Sequence, residues 1–125
     1  MYKASIENRG DSRSYVTTRH ASFVMDTEGN GANPVDTLLA SLCGCLGHYV
    51  RDYLNDQRIS YRDFAINAEA KSTPDKSRLD TINVIIHLGD VVLTDQQSGE
   101  LLGFLDNCKV HKILKINPGV AISLG

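Results

Sequence analysis

From Leu38 to Val50 the chain reads Leu-Leu-Ala-Ser-Leu-Cys-Gly-Cys-Leu-Gly-His-Tyr-Val, apolar or small on nearly every side of a helix. Its start is marked just upstream. Asn33 suits an N-cap, Pro34 the first helical position, and Asp36 faces the positive end of the helix dipole. The spacing predicts a helix from Pro34 to about Asn55 that comes out into solvent after Asp52. Gly44 and Gly47 lie inside it, each costing about 1 kcal/mol relative to alanine. Such a helix calls for apolar cover all round and for close approach of another element. A chain of 125 residues fits a single domain, residues 1–125, which rarely encloses such a helix alone, so a partner subunit is expected.

The flanking segments supply strands and shorter helices. Tyr2 to Asn8 alternates as a strand, Arg9-Gly10-Asp11-Ser12 is a turn, and Ser14 to Thr18 returns as a hairpin. A third strand runs from about His20 to Asp26 into the loop Thr27-Glu-Gly-Asn-Gly31. Past the long helix, Arg62 to Ser72 and Leu79 to Leu88 alternate as a pair of strands around Ser72–Ser77. Thr94-Asp95 opens a helix carrying Leu101, Leu102, Phe104 and Leu105; Asn107 interrupts it and places Cys108 at the head of a last helix to about Ile116. Asn117-Pro118-Gly119 turns the chain into a final strand, Val120 to Leu124. The order βββ-α-ββ-αα-β is an α+β domain.

Composition removes several function classes. The net charge is −2 with no basic stripe, which gives no support for nucleic acid or an anionic membrane as partner. No apolar run approaches the roughly 18 residues of a membrane span. Three cysteines, in a chain that begins without a signal-peptide pattern, predict a cytoplasmic protein rather than a disulfide scaffold.

The cysteines carry the chemistry. Counting 100° per residue, Cys45 shares a helix face with Leu38, Leu42 and Tyr49 and points about 160° away from Cys43. Cys43 and Cys45 are therefore poor disulfide partners, and core packing is the reading for Cys43. A thiol at a helix N-terminus, as predicted for Cys108, has a lowered pKa. Two cysteines from distant helices form, once together, a peroxide-reducing pair: one thiolate attacks the O–O bond and the other resolves the sulfenic acid.

Two segments resemble one family. A proline two residues before an acidic residue, followed by Leu-Leu-Ala-Ser-Leu-x-x-Cys-Leu, is similar to the OsmC/Ohr family (osmotically inducible protein C and organic hydroperoxide resistance protein), in particular its short OsmC-like redox proteins. The second segment, Cys108-Lys-Val-His-Lys-Ile-Leu114, is similar to the family's late motif, with Lys109 in place of proline. The resemblance implies an intertwined homodimer with the central helix buried, a peroxidatic Cys45 and a resolving Cys108. It also implies an arginine from the N-terminal strands beside the thiolate, for which Arg19 is the first candidate and Arg13 the second. The acidic residue that holds this arginine would be Asp36. The peroxidase branch has glutamate directly after the proline, where this chain has Val35.

The leading expectation is a stress-response peroxidase in which Cys45 reduces organic (alkyl or lipid) hydroperoxides, Cys108 closes the disulfide, and an external dithiol reopens it. No cofactor is required. Apolar surroundings of Cys45 favour such substrates over hydrogen peroxide. A second expectation keeps the fold without catalysis and binds a small hydrophobic ligand at the dimer interface; Val35 and Lys109 favour it. A third takes Cys43, Cys45, Cys108 and His111 as zinc ligands, which requires the helix to break at Gly44. His48 and His20 are candidate proton donors.

Overall fold

The computed structural model describes residues 1–125 and falls into two compact units, Met1–Ala40 and Ser41–Gly125. The elements are β1 (Ala4–Glu7), β2 (Arg13–Thr18), β3 (Ser22–Asp26), α1 (Pro34–Asp56), β4 (Ala65–Ser72), β5 (Leu79–His87), α2 (Asp95–Leu105) and α3 (Lys109–Lys115). This is the α+β arrangement expected, three helices with two antiparallel sheets.

In the first unit β1, β2 and β3 form an antiparallel sheet in that order, with Ile6 opposite Val16 and Val16 opposite Phe23. The β1–β2 turn is held by Asn8, whose Oδ1 accepts from the Gly10 N–H at 2.9 Å while its amide donates to the Asp11 carbonyl at 2.7 Å. At the end of β3 the buried Asp26 carboxylate accepts from the Glu28 N–H at 2.8 Å and the Ser12 hydroxyl at 3.0 Å. The Glu28 bond leads in holding its pKa below the usual carboxylate value, against the opposing pull of burial. The loop then folds back on β3: Ala32 N–H bonds to Val24 O and Asp26 N–H to Ala32 O, both at 3.0 Å. A side chain at Gly31 would meet Val24 O at 2.8 Å, so only glycine fits there.

α1 begins as its cap chemistry predicts, with Asn33 Oδ1 accepting from Val35 N–H at 2.8 Å and Asp36 N–H at 3.3 Å. It continues into the second unit, where Leu42, Leu46, Val50, Tyr53 and Leu54 form its buried face. Leu101 and Leu105 of α2 and Cys108 complete that core. The β4–β5 hairpin packs Ile66, Ile82, Val84 and Ile86 against it, with Asn67, Glu69 and Asn83 on the outer face, the alternation expected of a half-covered antiparallel pair. α2 opens with a capping box: Gln97 N–H donates to Thr94 Oγ1 at 3.1 Å, and Thr94 N–H to Gln97 Oε1 at 3.0 Å. The Tyr53 hydroxyl ties α1 to α2 through the Gln97 carbonyl (3.2 Å) and Glu100 (3.1 Å).

Within the single chain one face of α1 is uncovered: Val35 and Leu38 are 47% and 41% exposed, and Ser41, Gly44 and His48 are exposed too. One expectation needs correction. The closing strand from Val120 to Leu124 does not form, so the observed order is βββ-α-ββ-αα. Its alternation is real, but Val120, Ile122 and Leu124 are at least 81% exposed because no strand of the same chain pairs with them.

Candidate thiol site

Residue 45 lies on α1 between the buried Leu42 and Leu46, and its half-buried side chain packs against the core of the second unit. Cys108 arrives from the other end of that unit. α2 ends at Leu105, Asp106 N–H bonds back to Gly103 O at 3.2 Å, and Cys108 N–H bonds to Leu105 O at 3.0 Å. That tight turn delivers Cys108, fully buried, as the N-cap of α3.

Cys45 is near enough to Cys108 to perturb its ionisation, and all three cysteines are free thiols. Cys43 is half-buried and is not among the residues packed against the core. Cys45 and Cys108 are thus the cysteines brought together, one per helix.

Electrostatics at Cys108 differ from the sequence expectation. Position at a helix start predicts a lowered pKa; the structure raises it. Burial is the largest cause, since a thiolate there would be stripped of water, and the hydrogen bond to Cys45 adds to it by favouring the protonated form. Backbone N–H groups of His111 and Val110 pull the other way without closing a cap hydrogen bond, and they lose. Cys108 therefore holds its proton at neutral pH. This suits a group that waits while its neighbour reacts, not one that attacks first.

The remaining candidates lie as follows. Arg19 follows β2 in the first unit, exposed, with its guanidinium 4.9 Å from the centre of the Tyr2 ring. Arg13 opens β2, and its guanidinium is held charged first by the Tyr15 hydroxyl and then by Asp11. Asp36 is exposed in the first turn of α1, where it complements the helix dipole. His48 pairs with Asp52 one turn on, at 3.4 Å, and stacks edge-on against Tyr49. No three histidine, cysteine or acidic side chains converge on one point, so Cys43, Cys45, Cys108 and His111 do not form a zinc site.

Cys45 on the long helix and Cys108 at a late helix start thus share one α+β scaffold. The sequence profile of OsmC-like proteins matches residues 27–123, and the chain belongs to that family. Among solved structures it is similar to an OsmC-like protein from Mycoplasma pneumoniae, with a TM-score of 0.79 and 16% identity over 94% of this chain and 89% of that one. The organic hydroperoxide resistance protein OhrB of Bacillus subtilis matches with a TM-score of 0.64 and 16% identity, covering 94% of this chain and 92% of that one. The organic hydroperoxide resistance protein OsmC from Legionella pneumophila matches at 0.62 and 19% identity, over 94% and 90%. At these identities the likeness is one of fold. No curated protein matches the sequence, and no helix of the structure is long and apolar enough to cross a membrane.

Proposed function

We propose that the protein is a thiol-dependent peroxidase acting on organic hydroperoxides, with Cys45 as the attacking thiol and Cys108 as the resolving one. The observation that carries this reading is that Cys45, half-buried on α1, packs against the core that holds the buried Cys108, near enough for each thiol to affect the other. The Cys45 thiolate takes the terminal oxygen of ROOH; the O–O bond breaks, an S–O bond forms, and the alkoxide leaves as ROH after taking a proton. Cys108 sulfur then displaces the sulfenic oxygen, which departs as water with the Cys108 proton, and a Cys45–Cys108 disulfide remains. An external dithiol returns both thiols and is itself oxidised to a disulfide. Membership of the OsmC-like family and the likeness to organic hydroperoxide resistance proteins support the substrate class. Arg19 and Asp36 keep the roles the resemblance gives them, cation beside the thiolate and anchor of that cation.

The active form we propose is a homodimer in the cytoplasm. Its support is the uncovered face of α1 with Val35, Leu38 and Gly44, together with the unpaired alternating tail Val120, Ile122 and Leu124. A second copy covers both kinds of surface at once.

Variant kinetics test the reaction. Cys45→Ser abolishes hydroperoxide turnover, whereas Cys108→Ser completes a single turnover and stops at a sulfenic acid that dimedone traps. Undiminished turnover by Cys45→Ser refutes the assignment.

A further inference from the structure

The reaction proposed above leaves one proton without a carrier. Cys108 gives its proton to the departing water, so the alkoxide formed as the O–O bond breaks draws its proton from another source. The Cys45 thiol loses a proton in the same turnover. A side chain within reach of both the sulfur and the alkoxide can carry that proton from one to the other.

The helix that holds Cys45 brings one titratable ring to its side. His48 lies three residues beyond Cys45, about 60° away around the axis, with the two Cβ atoms about 5–6 Å apart. Helical side chains lean toward the N-terminus, so His48 leans toward Cys45 and Asp52 leans toward His48. The Asp52 carboxylate stands 3.4 Å from His48 Nε2. The imidazole also meets the Tyr49 ring edge-on, with centroids 5.2 Å apart. Tyr49 is itself braced edge-on by Phe104 of α2, at 5.5 Å. Carboxylate and ring together restrain the imidazole, and with Nε2 turned to Asp52 it is Nδ1 that is left for proton exchange. Stability gives little reason for the pair. Its side chains are 54% and 39% exposed, and ion pairs so exposed contribute little to folding.

We infer that His48 is the proton carrier of this reaction and that Asp52 positions it, an inference that rests on Cys45 being the attacking thiol. Nδ1 of His48 takes the Cys45 proton, and the thiolate attacks the terminal oxygen of ROOH. The S–O bond forms as the O–O bond breaks, and the imidazolium returns its proton to the alkoxide, which leaves as ROH. His48 ends neutral, and the sulfenic acid keeps the hydrogen that came with the transferred oxygen. The role proposed for Arg19 is compatible with this, because a guanidinium steadies thiolate charge but gives up no proton. The second copy proposed above, packed on this face, takes water from the pair and strengthens it.

Single-turnover oxidation of the full-length protein by cumene hydroperoxide and by peracetic acid tests this, with each rate expressed per Cys45 thiolate. A peracid releases a carboxylate, which leaves without a proton; cumene hydroperoxide releases an alkoxide, which needs one. His48→Gln slows the reaction with cumene hydroperoxide about 100-fold and that with peracetic acid less than about threefold. Equal slowing with both oxidants, or none with cumene hydroperoxide, overturns the inference. A wild-type Cys45 inert to cumene hydroperoxide overturns the peroxidase reading along with it. Nitrogen NMR of the wild type finds the neutral His48 ring protonated at Nε2. Asp52→Asn loses that preference and slows cumene hydroperoxide about threefold to tenfold, and Asp52→Glu recovers both. An unchanged tautomer and rate in Asp52→Asn overturn the part given to Asp52.

Discussion

Replacing Gly44 by alanine and by leucine separates what one chain requires from what the proposed homodimer requires. Gly44 sits mid-helix on the exposed face of α1, and a Cβ built there has no heavy atom within 4 Å. Within the single chain nothing justifies the glycine. Alanine gains its helix propensity with no clash, stabilising each chain by about 1 kcal/mol. Gly47 differs, since a Cβ there reaches Ile66 Cδ1 and Phe64 Cε1 at 3.7 Å, ordinary contact that alanine tolerates. If a second copy packs on the Gly44 face, a leucine there overfills the contact by about 1–3 kcal/mol per side. Symmetry doubles this to about 2–6 kcal/mol, which raises the dimer dissociation constant roughly 30-fold or more. Sedimentation velocity over a concentration series reads the dissociation constant, and urea unfolding of the monomer reads the stability. A Gly44→Leu protein with an unchanged dimer constant refutes the argument that this face of α1 is the covered one.

Leu54 is fully buried in the second unit, and Leu54→Ala should cost about 3–5 kcal/mol in urea unfolding. Cys108, with its pKa raised, adds stability that is complete below the unfolded thiol value of about 8.5 and is lost as pH rises through the higher folded value. Cys108→Ala should therefore flatten the alkaline limb of stability against pH, and iodoacetamide at pH 7 should modify Cys108 last of the three thiols. Asp75 holds the β4–β5 loop by accepting from Thr73 Oγ1 at 2.6 Å and from the Ser77 backbone and hydroxyl at 3.0 and 2.7 Å. With these bonds, the Thr73 one foremost, its pKa falls to about 2. The resulting stability is present above the unfolded value of about 3.9 and disappears as pH drops through about 2; Asp75→Asn should remove that acid dependence in pH-jump unfolding.

Local chemistry was legible in the sequence. Asn33-Pro34 and Thr94 announce helix starts because their bonding partners lie two or three residues away. The β4–β5 alternation likewise places Ile66, Ile82 and Val84 on the inner face without reference to the rest of the chain. Properties set by distant packing were not legible. No residue near Cys108 announces that burial outweighs the helix start, since the burial comes from its place in a core shared with α1 and α2. The pairing of Cys45 with Cys108 came from family resemblance rather than from spacing. Alternation at Val120, Ile122 and Leu124 predicts a strand that does not form, because pairing needs a neighbour that this chain does not supply.

Mass spectrometry of the reduced protein after sub-stoichiometric cumene hydroperoxide addresses the central claim most directly. Intact mass should fall by two hydrogens, about 2 Da, and peptide mapping should find Cys45 joined to Cys108 with Cys43 still a thiol. Three unmodified thiols after prolonged exposure, or a disulfide that includes Cys43, would contradict it.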